Sequence, residues 1–128
     1  MSPKLRSLFL CEAADPISPD QSFISISEGS SITLSCTYEG SPYRLHWYQK
    51  KTGSRPEFLM LIHVSSKQIT KSQKPDPRLS INLQESNKVN LEISSTAVSD
   101  SALYYCALQP TNHIFSVEGA ASLLYFLC

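Results

Sequence analysis

Four cysteines and three histidines are the side chains of this 128-residue chain best suited to covalent or metal chemistry. Cys11, Cys36, Cys106 and Cys128 form no C-x-x-C pair and no short Cys/His run, so zinc or iron–sulfur ligation has no scaffold. Thiols spaced this widely suit disulfides, which persist in oxidising compartments and point to secretion or a cell surface. His46, His63 and His113 have no carboxylate, serine or cysteine partner at a motif spacing. The chain also lacks a G-x-S-x-G, an H-E-x-x-H, a phosphate loop and a paired-acid motif. The expectation is a protein that binds rather than catalyses and needs no metal or cofactor.

The 11 basic and 11 acidic side chains cancel, and no block of like charge stands out. That removes the long-range field on which nucleic acid or an anionic membrane surface would depend. The length fits one domain with a real core. Near the start, Lys4 and Arg6 precede only Leu8-Phe9-Leu10-Cys11, an apolar core shorter than the roughly 7–15 residues of a signal peptide. Residues 1–14 are therefore expected to be an incomplete leader or a non-native extension. No run reaches the about 18–20 apolar residues of a spanning helix, so an anchor would lie outside this sequence.

Alternation of apolar and polar residues shows which elements position the cysteines. Over residues 31–38, Ile32, Leu34 and Cys36 share the inward face; before them, residues 23–26 form a shorter edge strand. Residues 39–43 are a loop. The next strand, residues 45–50, turns Leu45 and Trp47 inward and His46, Tyr48 and Lys50 outward, where an aromatic is costly unless something covers it. Residues 58–62 are continuously apolar, as in a strand covered on both sides. Residues 65–77 are polar with two prolines and read as a loop with a weak edge strand. Lys67, Lys71, Lys74 and Arg78 there make a solvated basic edge. Leu79, Ile81 and Leu83 face inward, as do Val89, Leu91 and Ile93 after a turn over residues 84–88, with Asn82, Asn90 and Glu92 outward. Ala102, Tyr104 and Cys106 close the inward set. Short strands with turns between them and no helical period describe an all-β sandwich of two antiparallel sheets.

Cys36, Trp47 eleven residues later, Cys106 seventy residues after the first cysteine, and Tyr104 two residues before the second follow the Cys…Trp…Cys and tyrosine-corner pattern of immunoglobulin domains. Around them, Asp100-Ser101-Ala102-Leu103-Tyr104-Tyr105-Cys106-Ala107-Leu108 resembles the ending of T-cell receptor α/δ variable segments. Leu45-His46-Trp47-Tyr48-Gln49-Lys50-Lys51 is similar to their second-strand signature. The likeness spans residues 15–110, and the roughly thirty residues 56–85 leave room for the two extra strands of a variable-type (V-type) domain.

The resemblance implies a Cys36–Cys106 disulfide packed on Trp47 and Tyr104; closing a loop of about seventy residues would contribute on the order of 4 kcal/mol. It places antigen-contact residues at Tyr43 and Arg44 in the first loop, Ser65, Ser66 and Lys67 in the second, and Leu108 and Gln109 at the start of the third. These would meet a peptide held by a histocompatibility molecule. Tyr48, Lys50, Pro56, Phe58 and Tyr105 would pack against a partner variable chain, and Arg78 would pair with Asp100 in a framework salt bridge. The setting implied is the extracellular face of the plasma membrane, within a receptor complex. Lys50 stands where the family usually has a glutamine, so either the register shifts to Gln49 or the contact across the pair is altered. After Cys106 no F-G-x-G joining motif follows; Phe115-Ser116-Val117-Glu118-Gly119 shares only its Phe. The expectation is an unrearranged variable segment translated past its coding end. Its last strand would be missing or non-native, residues 111–128 a disordered tail outside the family, and the exposed sheet edge a cause of poor folding. Cys11 and Cys128, in the flanking segments, have no defined role. The alternative is a light-chain-like or non-rearranging V-set receptor or adhesion domain.

Overall fold

The computed structural model describes residues 17–110 in full and the backbone of residues 118–127. Where apolar residues alternate or run together the chain is extended. The strands are β1 (Ile17–Pro19), β2 (Phe23–Ile26), β3 (Ile32–Tyr38), β4 (Arg44–Lys50), β5 (Glu57–His63), β6 (Ile69–Lys71), β7 (Leu79–Gln84), β8 (Lys88–Ile93), β9 (Ala102–Gln109) and β10 (Glu118–Leu127), with a 3₁₀ turn at Val98–Asp100. One sheet runs β1-β3-β8-β7 and the other β2-β10-β9-β4-β5-β6. Strand pairing is antiparallel apart from β10 and β2, which run parallel. This is the two-sheet antiparallel sandwich anticipated from alternation, with the V-type strand set that the resemblance implied. The β7–β8 turn shows the local logic: Ser86 and Asn87 take left-handed φ values of 69° and 59°, letting Gln84 pair directly with Lys88.

The inner faces meet in one core. Leu34, Cys36, Leu45, Trp47, Val89, Leu91 and Cys106 have no exposed surface, while Ile32, Leu79 and Leu83 pack against this core from its margins. Cys36 on β3 and Cys106 on β9 form a disulfide that ties the sheets together, and Trp47 lies opposite Cys106 in the β4–β9 register. Alternation alone does not anticipate the burial of two residues on outer faces. Asn90 is 1% exposed because Ser35 Oγ donates to its Oδ1 (2.7 Å) and its Nδ2 donates to Asn82 Oδ1 (3.2 Å), a polar ladder across three strands. His46, on the outer face of the other sheet, lies across from Leu61 and Ala107 and is buried with them.

Of the two expectations for the last strand, missing or non-native, the first is corrected: a strand is present, within the segment expected to be a disordered tail. Glu118–Leu127 pairs antiparallel with β9 and parallel with β2, with a register shift between Glu118 and Ala121. The physical reason is that β9 offers a full row of edge hydrogen-bonding groups, and the run Leu123-Leu124-Tyr125-Phe126-Leu127 has the apolar, aromatic composition that suits a strand. A joining motif is not required for that pairing. The β9 edge expected to be open is therefore covered. Cys11, His113, Phe115 and Cys128, together with residues 1–14 and 111–117, lie outside the described residues.

Tyr104 ties the loop before β9 to the core. Its hydroxyl donates to the Asp100 carbonyl at 2.6 Å and accepts from Gln49 Nε2 at 2.9 Å. Tyr104→Phe should cost about 1–3 kcal/mol, because both partners lose a bond in a buried setting. Urea unfolding of the two proteins measures it, and equal midpoints would show the hydroxyl to be idle.

Candidate binding faces: an aromatic sheet face and a loop end

The outer face of the six-stranded sheet carries aromatics that the core does not use. A register shift between Trp47 and Tyr48 in the β4–β5 ladder sets Tyr48 opposite Phe58. Their rings meet edge to face at 5.8 Å. His46 lies parallel to Tyr48 at 6.0 Å and edge-on to Phe58 at 6.2 Å. Tyr105 is in register with Tyr48 on the other side, so Tyr48, Phe58 and Tyr105 form a half-buried cluster, with Pro56 exposed beside it. Burial lowers the His46 pKa, outweighing the opposing effect of the contact between its Nε2 and the Gln109 amide oxygen, and so favours the neutral ring in this apolar setting. The Gln49/Lys50 alternative also resolves. Gln49 turns inward to the Tyr104 hydroxyl, so there is no register slip, and Lys50 holds the outward position.

At one end of this sheet the loops are cross-linked through the backbone. Tyr43 N–H donates to the Gln109 carbonyl (2.8 Å), Val64 N–H to the Tyr43 carbonyl (3.1 Å), and Lys67 N–H to the His63 carbonyl (2.7 Å). Ser65, Ser66 and Lys67 form an exposed turn, with Lys67 at a left-handed φ of 61°. Tyr43 and Arg44 are half-buried beside His63. Leu108 and Gln109 require a correction, because they are not loop residues. They extend β9 in register with Leu45 and Arg44, Leu108 faces the core, and buried Gln109 meets His46 Nε2 at 3.3 Å. Both belong to the strand supporting the third loop.

An immunoglobulin V-set domain model matches residues 19–125. Human T cell receptor alpha variable 14/delta variable 4 is 35% identical over 99 residues, covering 75% of this chain and 82% of that protein. A mouse T-cell receptor alpha chain V region, CTL-F3, is 33% identical over 113 residues, covering 85% of this chain and 80% of that one. The chain belongs to the T-cell receptor α/δ variable domains of the immunoglobulin V-set. A chain of the solved structure described as "Structural basis of T cell specificity and activation by the bacterial superantigen toxic shock syndrome toxin-1" superposes with a TM-score of 0.79 at 14% identity, covering 88% of this chain and 98% of that chain, and shares the fold. V-set variable domains of this kind are non-enzymatic parts of antigen receptors.

In this V-set domain the charged network sits at the foot of the sandwich, where Arg78 is fully engaged. Its Nη1 and Nη2 donate to the Asp100 carboxylate at 2.7 and 2.9 Å, its Nε and Nη2 to Asp76 at 3.2 and 2.9 Å, and its Nη1 to the Ser95 carbonyl at 3.1 Å. Asp100 also accepts from Ala97 N–H at 2.8 Å. The Arg78 guanidinium holds both carboxyls below the usual carboxylate range, and they in turn raise the arginine further. The Asp76 contribution was not anticipated. Its signal is local, an Asp two residues ahead whose Oδ1 also accepts the Arg78 backbone N–H at 2.9 Å. Among the described residues no three His, Cys, Asp or Glu side chains converge as a metal site, and no helix is long and apolar enough to cross a membrane.

Proposed function

We propose that this variable domain pairs, through the outer face of its six-stranded sheet, with a second variable-type chain, and that the pair binds peptide presented by a histocompatibility molecule through its loop end. The setting is the extracellular face of the plasma membrane, as part of a receptor complex. The observation that carries this reading is the Tyr48–Phe58–Tyr105 cluster on an outer sheet face. An outward aromatic patch is costly in water and is the composition of a protein interface. Pro56 and Lys50 border the patch. Tyr43, Ser65, Ser66 and Lys67 are the contact residues of the first two loops, joined by Arg44, which the sequence placed in the first loop but which opens β4 beside Tyr43; the third loop begins beyond Gln109. Arg78 and Asp100 serve the framework.

Co-expression with a β-type variable domain tests pairing. A heterodimer should form, and Phe58→Asp should weaken it at least about ten-fold, because a charge then enters a desolvated patch. An unchanged melting temperature for the isolated variant confirms that the loss lies in the interface. Self-association through the loops, with no heterodimer, would replace this reading with homophilic adhesion.

A further inference from the structure

Arg44 is held on two sides at the loop end. Its Nε donates to His63 Nε2 at 3.1 Å, and its guanidinium carbon lies 4.9 Å from the centre of the Tyr43 ring. The Tyr43 ring in turn meets His63 edge-on, with 5.2 Å between ring centres. His63 Nε2 thus accepts from Arg44, while its Nδ1 faces the Gln68 carbonyl 3.4 Å away, so the ring is held from both sides and orients the guanidinium.

That leaves the Nη1 and Nη2 groups, a planar fork of four N–H donors, with no hydrogen-bond partner among the described residues. The strand neighbours of Arg44 are His63 on β5 and Gln109 on β9, and His46 follows two residues along on the same face. Among the described residues no carboxylate pairs with Arg44, in contrast to Arg78 and Lys88, which both have acidic partners. Orienting a long, flexible side chain in advance removes much of the entropy that its later contact would cost. A fixed guanidinium fork matches a carboxylate, which accepts two parallel N–H bonds.

We infer that Arg44, clamped by His63 and Tyr43, is a preorganised carboxylate-binding group, and that the antigen met by this loop end presents an acidic side chain to it. This rests on the proposed function and names the chemistry of its ligand. The cation–π contact with Tyr43 and the backbone bond from Val64 to Tyr43 bind Arg44 to the first two loops, which favours the antigen as the source of the acid over the partner chain. Arg44 would make the contact, and His63 is a positioning residue.

The probe is a library of random peptides presented by a histocompatibility molecule, bound by the paired receptor in displayed form. Receptors carrying wild-type Arg44 should select ligands that lose at least about ten-fold in affinity with Arg44→Gln, and a similar factor with Arg44→Lys, which cannot reproduce a planar fork. Arg44→Glu should abolish binding, and one Asp or Glu→Arg change in the selected ligand should restore it. His63→Phe keeps a ring against Tyr43 but removes the acceptor, and should give a smaller loss that the same Arg44→Glu rescue ligand does not reverse. Melting temperatures of all variants should stay within a few degrees of the parent. Binding of Arg44→Gln within two-fold of wild type overturns the inference alone. Rescue only by a substitution in the partner chain also overturns it, since the acid then belongs to the pair. A receptor that pairs but selects no presented peptide overturns the functional reading and the inference together.

Discussion

Replacing both Cys36 and Cys106 by alanine should lower the unfolding free energy by about 4 kcal/mol, the value expected for releasing a closed loop of 70 residues. Native domains are stable by only about 5–15 kcal/mol, so the loss is a large share of the total. The bond joins β3 in one sheet to β9 in the other, and these are the strands whose side chains pack around Trp47. Losing it therefore loosens the contact between sheets rather than a single edge. The denaturant midpoint should fall sharply and the dependence on denaturant should steepen, as the uncrosslinked unfolded chain exposes more surface. A midpoint equal to the parent's would mean that the packed core alone holds the sheets. Trp47→Ala separates the two contributions. It keeps the bond but removes a fully buried indole, at a cost of about 3–5 kcal/mol.

The inward faces were legible because side-chain alternation is a property of each strand by itself. Leu34 and Cys36, Leu45 and Trp47, Val89 and Leu91, Tyr104 and Cys106 all follow from it. What was not legible depends on neighbours distant in sequence. Asn90 reads as a solvated position, yet Ser35 and Asn82 from two other strands cover it. His46 likewise reads as an outward polar residue until Leu61 and Ala107 flank it. The start of the third loop was misjudged by two residues because β4 continues to pair with β9 through Gln109, and a local pattern cannot show where a partner strand ends. β10 escaped notice for a related reason. Its motif was absent, but the requirement it fulfils, covering the hydrogen-bonding edge of β9, is met by backbone, and many apolar sequences supply that.

The candidate site divides along the same line. The identities of Tyr43, Arg44, Tyr48 and Phe58 could be read as interface chemistry from residue type and strand face. The clamp on Arg44 could not, because His63 comes from the neighbouring strand β5, nineteen residues further along the chain. Lys50 is intermediate. Alternation placed it outward, but only the bond from Gln49 to Tyr104 excludes a one-residue slip. The two arginines at opposite ends of the sandwich show how setting assigns different work to one residue type. Arg78 spends its donors on Asp76, Asp100 and Ser95 and is structural, whereas Arg44 spends one on a histidine and keeps its fork available.

Arg78→Ala should cost about 3 kcal/mol at neutral pH, the low end for breaking a buried ion pair because the arginine itself is partly exposed. The cost arises mainly on the other partner. The Asp100 side chain is 8% exposed and, without Arg78, would keep a charge answered by the Ala97 N–H and, at longer range, by Lys51. The pH dependence follows from the direction of the shift. Arg78 depresses the Asp100 and Asp76 pKa values in the folded protein, so the unfolded chain binds protons first as acid is added. The stabilisation is fully present above the unfolded carboxylate value, near about pH 4, and is lost as pH falls through the depressed folded values. Melting temperatures recorded from pH 7 to pH 2 should therefore drop steeply for the parent below about pH 4 and more shallowly for Asp100→Asn, which has no charge left to lose. Asp76→Asn should change little, about 1 kcal/mol or less, since that side chain is more open to water and its interaction is screened. If Arg78→Ala and Asp100→Asn together cost as much as the sum of their separate effects, the pair is not coupled and the acid sensitivity must arise elsewhere. A combined cost well below that sum would locate it at the foot of the sandwich, where the loop before β9 is also held by Tyr104.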